Sequence, residues 1–167
     1  MNISVRHTQY GDAAAIAAIY SQPLVYAATL QLPYPATAVW EKRLSESSDA
    51  GSHSLVALVD EEIVGHIYLA ASPAVRRRHV ATIGMGVSED FFGQGVGSVL
   101  LAAAIDLAEN WMAVTRIELE VYADNQPAIG LYQKFGFIDE GIAKDYAFRN
   151  GHYVDAMRMA RLTRNKP

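Results

Sequence analysis

Between an apolar strand pattern ending near Val87 and a helical pattern running to about Met112 lies the turn Gly93-Gln94-Gly95-Val96-Gly97. Three glycines at alternate positions leave the backbone bare of side chains where a helix begins. Bare amides at a helix N-terminus, with the positive end of the helix dipole behind them, favour a phosphate or pyrophosphate. The plain structural alternative is that the glycines permit a tight turn and close helix packing. Two phosphate-binding patterns do not fit. A phosphate-loop NTPase needs Lys and Ser/Thr after its last glycine, but Ser98-Val99 follow Gly97. A dinucleotide fold places Gly-x-Gly-x-x-Gly in an early parallel strand–helix–strand unit, whereas here the spacing is Gly-x-Gly-x-Gly after an antiparallel series.

Composition narrows the class. A chain of 167 residues, 51% hydrophobic and 19% charged, is long enough for one domain with a substantial core and is not of the disordered type. A net charge of −4 argues against a protein that coats nucleic acid. No apolar run reaches the roughly 18 residues a membrane helix needs. The segment Met1–Arg6 alternates like a strand and lacks a signal peptide's apolar centre, so a cytoplasmic protein is expected. Cysteine is absent, which excludes disulfides, thiolate metal sites and a cysteine nucleophile. The five histidines show no His-x-x-x-His pair, and no metal site is expected.

Along the chain, residues 3–8 read as a strand, and Asp12 as the cap of a helix to about Tyr20. The proline-punctuated segment Gln22–Pro35 reads as irregular, and Thr37 as the cap of a second helix carrying Trp40 and Leu44. A polar loop is expected over Ser45–Ser52. Ser54–Val59 and Ile63–Ala71 pair as a hairpin through Asp60-Glu61-Glu62, followed by the basic turn Arg76–His79 and a strand over Val80–Val87. The helix from Gly95 to about Met112 places Val96, Val99, Leu100, Ala103, Leu107 and Trp111 at core-facing spacing. Then come a strand (Ile117–Tyr122), a helix (Pro127–Phe135, stopped by Gly136), and two strands joined by Asn150-Gly151, a strong hairpin signal. Mixed antiparallel and crossover connections imply one α/β domain, an open mixed sheet of about seven strands with helices on both faces.

The stretch Asn125-Gln126-Pro127-Ala128-Ile129-Gly130-Leu131-Tyr132-Gln133-Lys134-Phe135-Gly136-Phe137 resembles the Asn-x-x-Ala-x-x-x-Tyr-x-x-x-Gly-Phe signature of the Gcn5-related N-acetyltransferase superfamily. The glycine turn resembles that superfamily's pyrophosphate loop, except that Phe92 stands where Arg or Gln is usual. The order of elements extends the resemblance over nearly the whole chain. Tyr26–Gln31, Arg116–Leu119 and Tyr146–Asp155 further resemble a bacterial L-amino-acid N-acetyltransferase subgroup. The resemblance implies an acetyl-CoA-dependent N-acetyltransferase acting on a small-molecule amine, a homodimer, with no nucleic-acid or membrane partner. Protein N-termini and amine-bearing toxins or antibiotics are alternative acceptors. From a different class, an acyl-CoA-binding sensor would need the glycine turn but no proton donor.

Residue roles follow from that resemblance. Gln94, Gly95, Val96, Gly97 and Ser98 would hold the cofactor's phosphates, and Asn125 its pantetheine arm. Met85, Gly86 and Val87 would line the acetyl group and donate to its carbonyl. Tyr132 would protonate the departing thiolate, for which a phenol of pKa about 10 is suited. Periodicity alone would make Tyr132 a core aromatic, and Asn125 a helix cap. The absence of cysteine, and of a serine in a nucleophile-elbow context, leaves direct transfer between bound partners. Glu120 is the candidate base, with Glu118 on the same face and a water chain as an equal alternative. His66 and His79 read first as satisfied histidines, and Arg76–Arg78 first as a solvated turn, otherwise near the cofactor's 3′-phosphate. Tyr26, Leu30 and Tyr34 in the N-terminal segment would form the acceptor pocket, and Arg149 would pair an acceptor carboxylate.

Overall fold

The computed structural model describes residues 1–46 and 51–163. Seven strands form one sheet: β1 (Ile3–His7), β2 (Ser52–Val59), β3 (Glu62–Ala71), β4 (Val80–Val87), β5 (Arg116–Tyr122), β6 (Ile138–Arg149) and β7 (His152–Leu162). Their order across the sheet is β1-β2-β3-β4-β5-β7-β6, antiparallel except for the parallel pair β4–β5. The helices are α1 (Ala13–Tyr20), α2 (Pro23–Ala27), α3 (Thr37–Glu46), α4 (Val96–Asp106) and α5 (Gln126–Lys134). The expected open mixed sheet with helices on both faces is what forms.

Each face has its own core. On one, Ile16, Ile19, Tyr20 and Trp40 of α1 and α3 bury Val56 of β2. On the other, Leu100, Leu101 and Ala104 of α4 and Ile129 and Tyr132 of α5 pack on Ile67, Leu69, Ile117 and Leu119. Alternation along the strands divides the apolar residues between these cores, as the period of two requires. The two short hairpins follow their turn chemistry. Asn150 and Gly151 both adopt positive φ, 49° and 81°, and Asp60 and Glu61 do likewise at 47° and 69°, the backbone of type I′ turns.

Four details differ from the sequence expectation. Part of the segment read as irregular winds into α2, with Pro23 in its first turn, where a missing N–H costs nothing. The helix expected to run to Met112 changes to a π turn over Leu107–Trp111. That wider turn takes more residues per revolution, so Trp111 rotates out of the core face and is 78% exposed. Asp12 adopts a helical backbone and makes no side-chain cap bond. Its carboxylate instead accepts from Arg6 Nη1 and Nη2 at 2.7 and 3.0 Å and from the Gln9 amide at 2.7 Å. The polar loop expected over Ser45–Ser52 falls partly on residues 47–50, outside the described residues; the helix reaches Glu46 and β2 begins at Ser52.

The Arg6–Asp12 pair ties β1 to the start of α1, and hydrogen bonding from Arg6 holds the Asp12 carboxyl below the usual carboxylate range. A depressed native pKa adds stability above the unfolded value of about 3.9 and loses it as pH falls through the native one. Asp12→Asn is therefore expected to cost about 1–2 kcal/mol near neutral pH, the scale of a charge-assisted hydrogen bond. Urea unfolding should show the variant and wild-type midpoints converging in strong acid.

Candidate active site

The centre of the molecule is a parting of strands. β4 pairs with β3 as far as Gly65↔Val87, but with β5 only over Val80↔Arg116, Ala81↔Ile117 and Thr82↔Glu118. β5 meanwhile stays paired with β7 along its whole length, to Tyr122↔Ala156. From Ile83 to Val87 the β5-facing edge of β4 is thus open, and its backbone groups are free to bond a ligand. Met85, Gly86 and Val87 lie at this open end.

The glycine turn follows directly. Phe91 and Phe92 donate their amides to the Ser88 and Glu89 carbonyls at 2.9 and 3.2 Å, forming one tight turn before the loop. Gly93 and Gly95 then adopt φ of 72° and 89°, a region costly for any other L residue, and no atom lies within 4 Å of where their Cβ would stand. Gly97 has a different reason: a Cβ there would lie 3.2 Å from Leu131 Cδ2 and 3.5 Å from Met85 Cε, where α4, α5 and β4 converge. Gly95 is the N-cap of α4 and brings no side-chain cap, so the first-turn amides, those of Val96, Gly97 and Ser98, lack intrahelical acceptors. Gln94 differs from the others. Its side-chain Nε2 donates back to the Asp90 carbonyl at 2.7 Å, bracing the loop. Phe92 is 46% exposed; the turn is made by main-chain bonds that do not need an Arg or Gln there.

Asn125 caps α5, its Oδ1 accepting from the Ala128 amide at 3.2 Å, which leaves its Nδ2 as a donor. Tyr132, one helix face further, is 8% exposed, and its ring lies 5.7 Å from that of Phe137. Burial pushes its phenol up to about 12. Burial also raises the phenol of Tyr20, with a smaller contribution from Tyr132, and the Tyr20 ring reaches Gly86 of β4 from the other face.

A cavity of about 310 Å³ opens beside Tyr122, beyond the last β4–β5 pair. Tyr26, Leu30 and Leu32 line it from the N-terminal side, and Tyr146, Phe148 and Arg149 from the β6–β7 hairpin. Tyr122 donates its hydroxyl to the Thr29 carbonyl at 2.9 Å, closing the cavity floor. Arg149 is not a free cation: it forms an ion pair with Asp124, lies 5.1 Å over the Tyr122 ring, and donates to the Ala27 carbonyl at 3.4 Å. Tyr34 corrects the expectation for this pocket. With φ of 60° and 96% exposure it projects into solvent and is not among the lining residues.

Glu120 is exposed on β5, directly across from Arg158 of β7. Burial raises the phenol of Tyr146 in the cavity wall, and Glu120 adds to that shift. Glu118 is committed elsewhere, accepting from Arg77 Nη2 at 2.9 and 3.0 Å and from Arg116 Nε at 2.6 Å. The basic turn thus reaches Glu118 through Arg77. His66 is buried between Ser54 and Tyr20, with burial holding it down to about 4. Sequence reasoning passed over Tyr20, Gln22 and Glu89. The signal available was Gly84 and Gly86 inside a strand, since strand glycines mark close approach of another group.

An open mixed sheet whose central parallel pair parts beside an uncapped, glycine-led helix defines an acyl-CoA-dependent acyltransferase fold. The chain belongs to the acetyltransferase (GNAT) family, whose model matches residues 15–137. It is 44% identical over 160 residues to the L-amino acid N-acetyltransferase AaaT of Escherichia coli (strain K12), covering 96% of this chain and 98% of that one. The phosphinothricin N-acetyltransferase of Alcaligenes faecalis is 28% identical over 160 residues, 95% of this chain and 81% of that one. Among solved structures, a GNAT superfamily phosphinothricin acetyltransferase from Sinorhizobium meliloti in complex with acetyl-CoA superposes with a TM-score of 0.87 at 22% identity, covering 97% of this chain and 89% of that one. This protein is an N-acetyltransferase that uses acetyl-CoA. The open β4 edge, the two positive-φ glycines with clear space above them and the uncapped α4 all fit that cofactor.

Gly95→Val is expected to weaken acetyl-CoA binding about tenfold or more, since a branched residue at φ of 89° costs roughly 1–2 kcal/mol or displaces the turn. Calorimetric titration of the folded variant checks this; wild-type affinity would remove the turn from the phosphate site.

Proposed function

We propose that this enzyme transfers acetyl directly to the amine of a free L-amino acid with an apolar side chain. The observation that carries the acceptor class is the cavity at the open end of β5, walled by aromatic and aliphatic side chains with one guanidinium, Arg149, among them. Kinship with the E. coli L-amino acid N-acetyltransferase supports it. Tyr26 and Leu30 receive the side chain, and Arg149 the carboxylate. The Arg149–Asp124 pair suits such an exchange, because the Asp124 side chain is 61% exposed and an exposed pair is weak.

Bound acetyl-CoA supplies the activated acetyl group as a thioester. Amides of Gln94 to Ser98 at the α4 terminus hold its pyrophosphate, and Asn125 donates through Nδ2 to its pantetheine arm. Backbone N–H groups near Met85 to Val87 donate to the acetyl carbonyl oxygen as it gains charge. Tyr132 hands its proton to the departing sulfur. A phenol at about 12 remains protonated throughout the neutral range, so the donor is always loaded. Glu120, beside Tyr146 of the acceptor cavity, takes the amine's proton, directly or through water. With no cysteine in the chain, no cysteinyl intermediate intervenes.

A cytoplasmic setting is in keeping with a free amino acid as acceptor and a cysteine-free chain. A homodimer is the assembly this reading takes, supported by the exposed Ile138 and Ile142 on the edge strand β6. Phosphinothricin is the second acceptor to test, on the strength of the A. faecalis relative.

Thiol release from acetyl-CoA, measured over a panel of L-amino acids, polyamines, short peptides and phosphinothricin, tests the acceptor. The highest kcat/KM is expected for L-amino acids with apolar side chains; a preference for polyamines or peptides would refute that class. Tyr132→Phe should lower kcat about ten- to a thousandfold, the scale of lost general-acid help, with acetyl-CoA affinity retained. Unchanged turnover would remove Tyr132 from the proton-donor role.

A further inference from the structure

On the sheet face opposite α4, three buried polar side chains form one hydrogen-bonded chain. His66 of β3 is bonded through Nε2 to Ser54 Oγ of β2 at 2.7 Å and through Nδ1 to Tyr20 Oη of α1 at 3.0 Å. A neutral imidazole has one donor and one acceptor, so both ring nitrogens are satisfied. The Tyr20 ring is gripped on its face as well. Trp40 stacks on it with centroids 4.7 Å apart and planes 15° from parallel. The indole holds that position although its own Nε1 is buried with no partner among the described residues. Burying a polar group is costly unless it is paired, and this core places three of them, Ser54, His66 and the unpaired Trp40, around one phenol ring.

What the ring does is press on the open end of β4. A Cβ at Gly86 would stand 2.7 Å from Tyr20 Cε1, 2.8 Å from Cζ and 3.0 Å from Oη, closer than real side chains approach. Gly86 is bare where Tyr20 bears on it. Two residues along the chain, Gln22 holds the end of the same strand: its Nε2 donates to Ser88 Oγ at 3.1 Å, and its Oε1 accepts the Glu89 amide at 2.7 Å. Glu89 answers by accepting the Leu24 amide at 2.7 Å, at the head of α2. One corner of the chain, Tyr20 to Leu24, therefore braces Gly86 and the Ser88–Glu89 turn that follows β4. Gly86 lies in the Ile83–Val87 stretch that β5 no longer supports.

We propose that Tyr20 is a positioning residue for acetyl transfer, acting through Gly86 to set the Met85–Val87 edge, with Gln22 fixing the end of the strand. The proposal rests on the reading of that edge as the donor to the acetyl carbonyl. A pre-set edge matters because a displacement of about 1 Å in a reacting geometry can lower a rate by roughly a hundredfold. A merely structural cluster would change stability and leave turnover of the folded enzyme intact.

The test compares Tyr20→Phe, Gln22→Ala and Gly86→Ala with Val56→Ala. Val56 is fully buried in the same core but lies on β2, two strands from β4, so it is a stability control. Melting temperatures, kcat, and KM for acetyl-CoA are measured at a temperature where every variant is folded. Tyr20→Phe and Gln22→Ala are expected to lower kcat about ten- to a hundredfold with KM for acetyl-CoA within about twofold, and Gly86→Ala to lower it at least as far. Val56→Ala should lose stability and keep kcat. If Gly86→Ala slows the enzyme while Tyr20→Phe does not, Tyr20 has no positioning role and the carbonyl edge stands. If Gly86→Ala turns over like wild type, the carbonyl edge itself is refuted, and the proposal with it. If Val56→Ala loses kcat in parallel with Tyr20→Phe, the effect is stability alone and the proposal is overturned.

Discussion

Everything functional in this molecule depends on β4 and β5 remaining partners for only three residues. A parallel pair at the centre of a sheet would ordinarily satisfy each strand's backbone along its full length, because an unpaired buried amide or carbonyl is costly. Here β3 holds β4, β7 holds β5, and the two halves separate past Thr82 and Glu118. The free backbone edge this leaves is a row of donors and acceptors with fixed spacing. Such a row suits an extended, amide-containing arm ending in a carbonyl.

An open edge keeps its shape only if something else supports it, and both faces contribute. On the α4 side, Gly97 lets Met85 and Leu131 close on the first turn of the helix, bringing the glycine turn against β4. On the α1 side, Tyr20 closes on Gly86 and Gln22 on Ser88 and Glu89. The glycines of this region thus do two different kinds of work. Gly93 and Gly95 permit a backbone that other residues resist, whereas Gly86 and Gly97 permit contacts that a Cβ would block.

The proton chemistry follows from burial as much as from residue type. Two phenols, Tyr20 and Tyr132, are raised by desolvation, and one imidazole, His66, is lowered by it. Desolvation favours the neutral form, so these three side chains stay uncharged near neutral pH. The charged groups around the cavity lie nearer solvent, as the pairs Arg149–Asp124 and Arg77–Glu118 and the register neighbours Glu120 and Arg158. This separation keeps a protonated phenol inside and the charged groups at the solvent margin.

What the sequence determined by itself is whatever depends on short-range backbone rules. The strand–turn–helix at Gly93–Gly97, the helix from Asn125 to the Gly136 stop and the Asn150-Gly151 hairpin were legible because positive φ, capping and side-chain period act within a few residues. The superfamily resemblance was legible for the same reason, as its motifs sit in those segments. Tertiary structure decided which partner each side chain meets. Arg149 binds Asp124 and the Ala27 carbonyl, Tyr34 leaves the pocket, and Tyr20 reaches His66 and Gly86. A π turn sends Trp111 to solvent. Tyr20 and His66 are 46 residues apart, and Arg149 and Ala27 are 122 apart. No local pattern encodes such contacts, because they exist only once the sheet has closed between them.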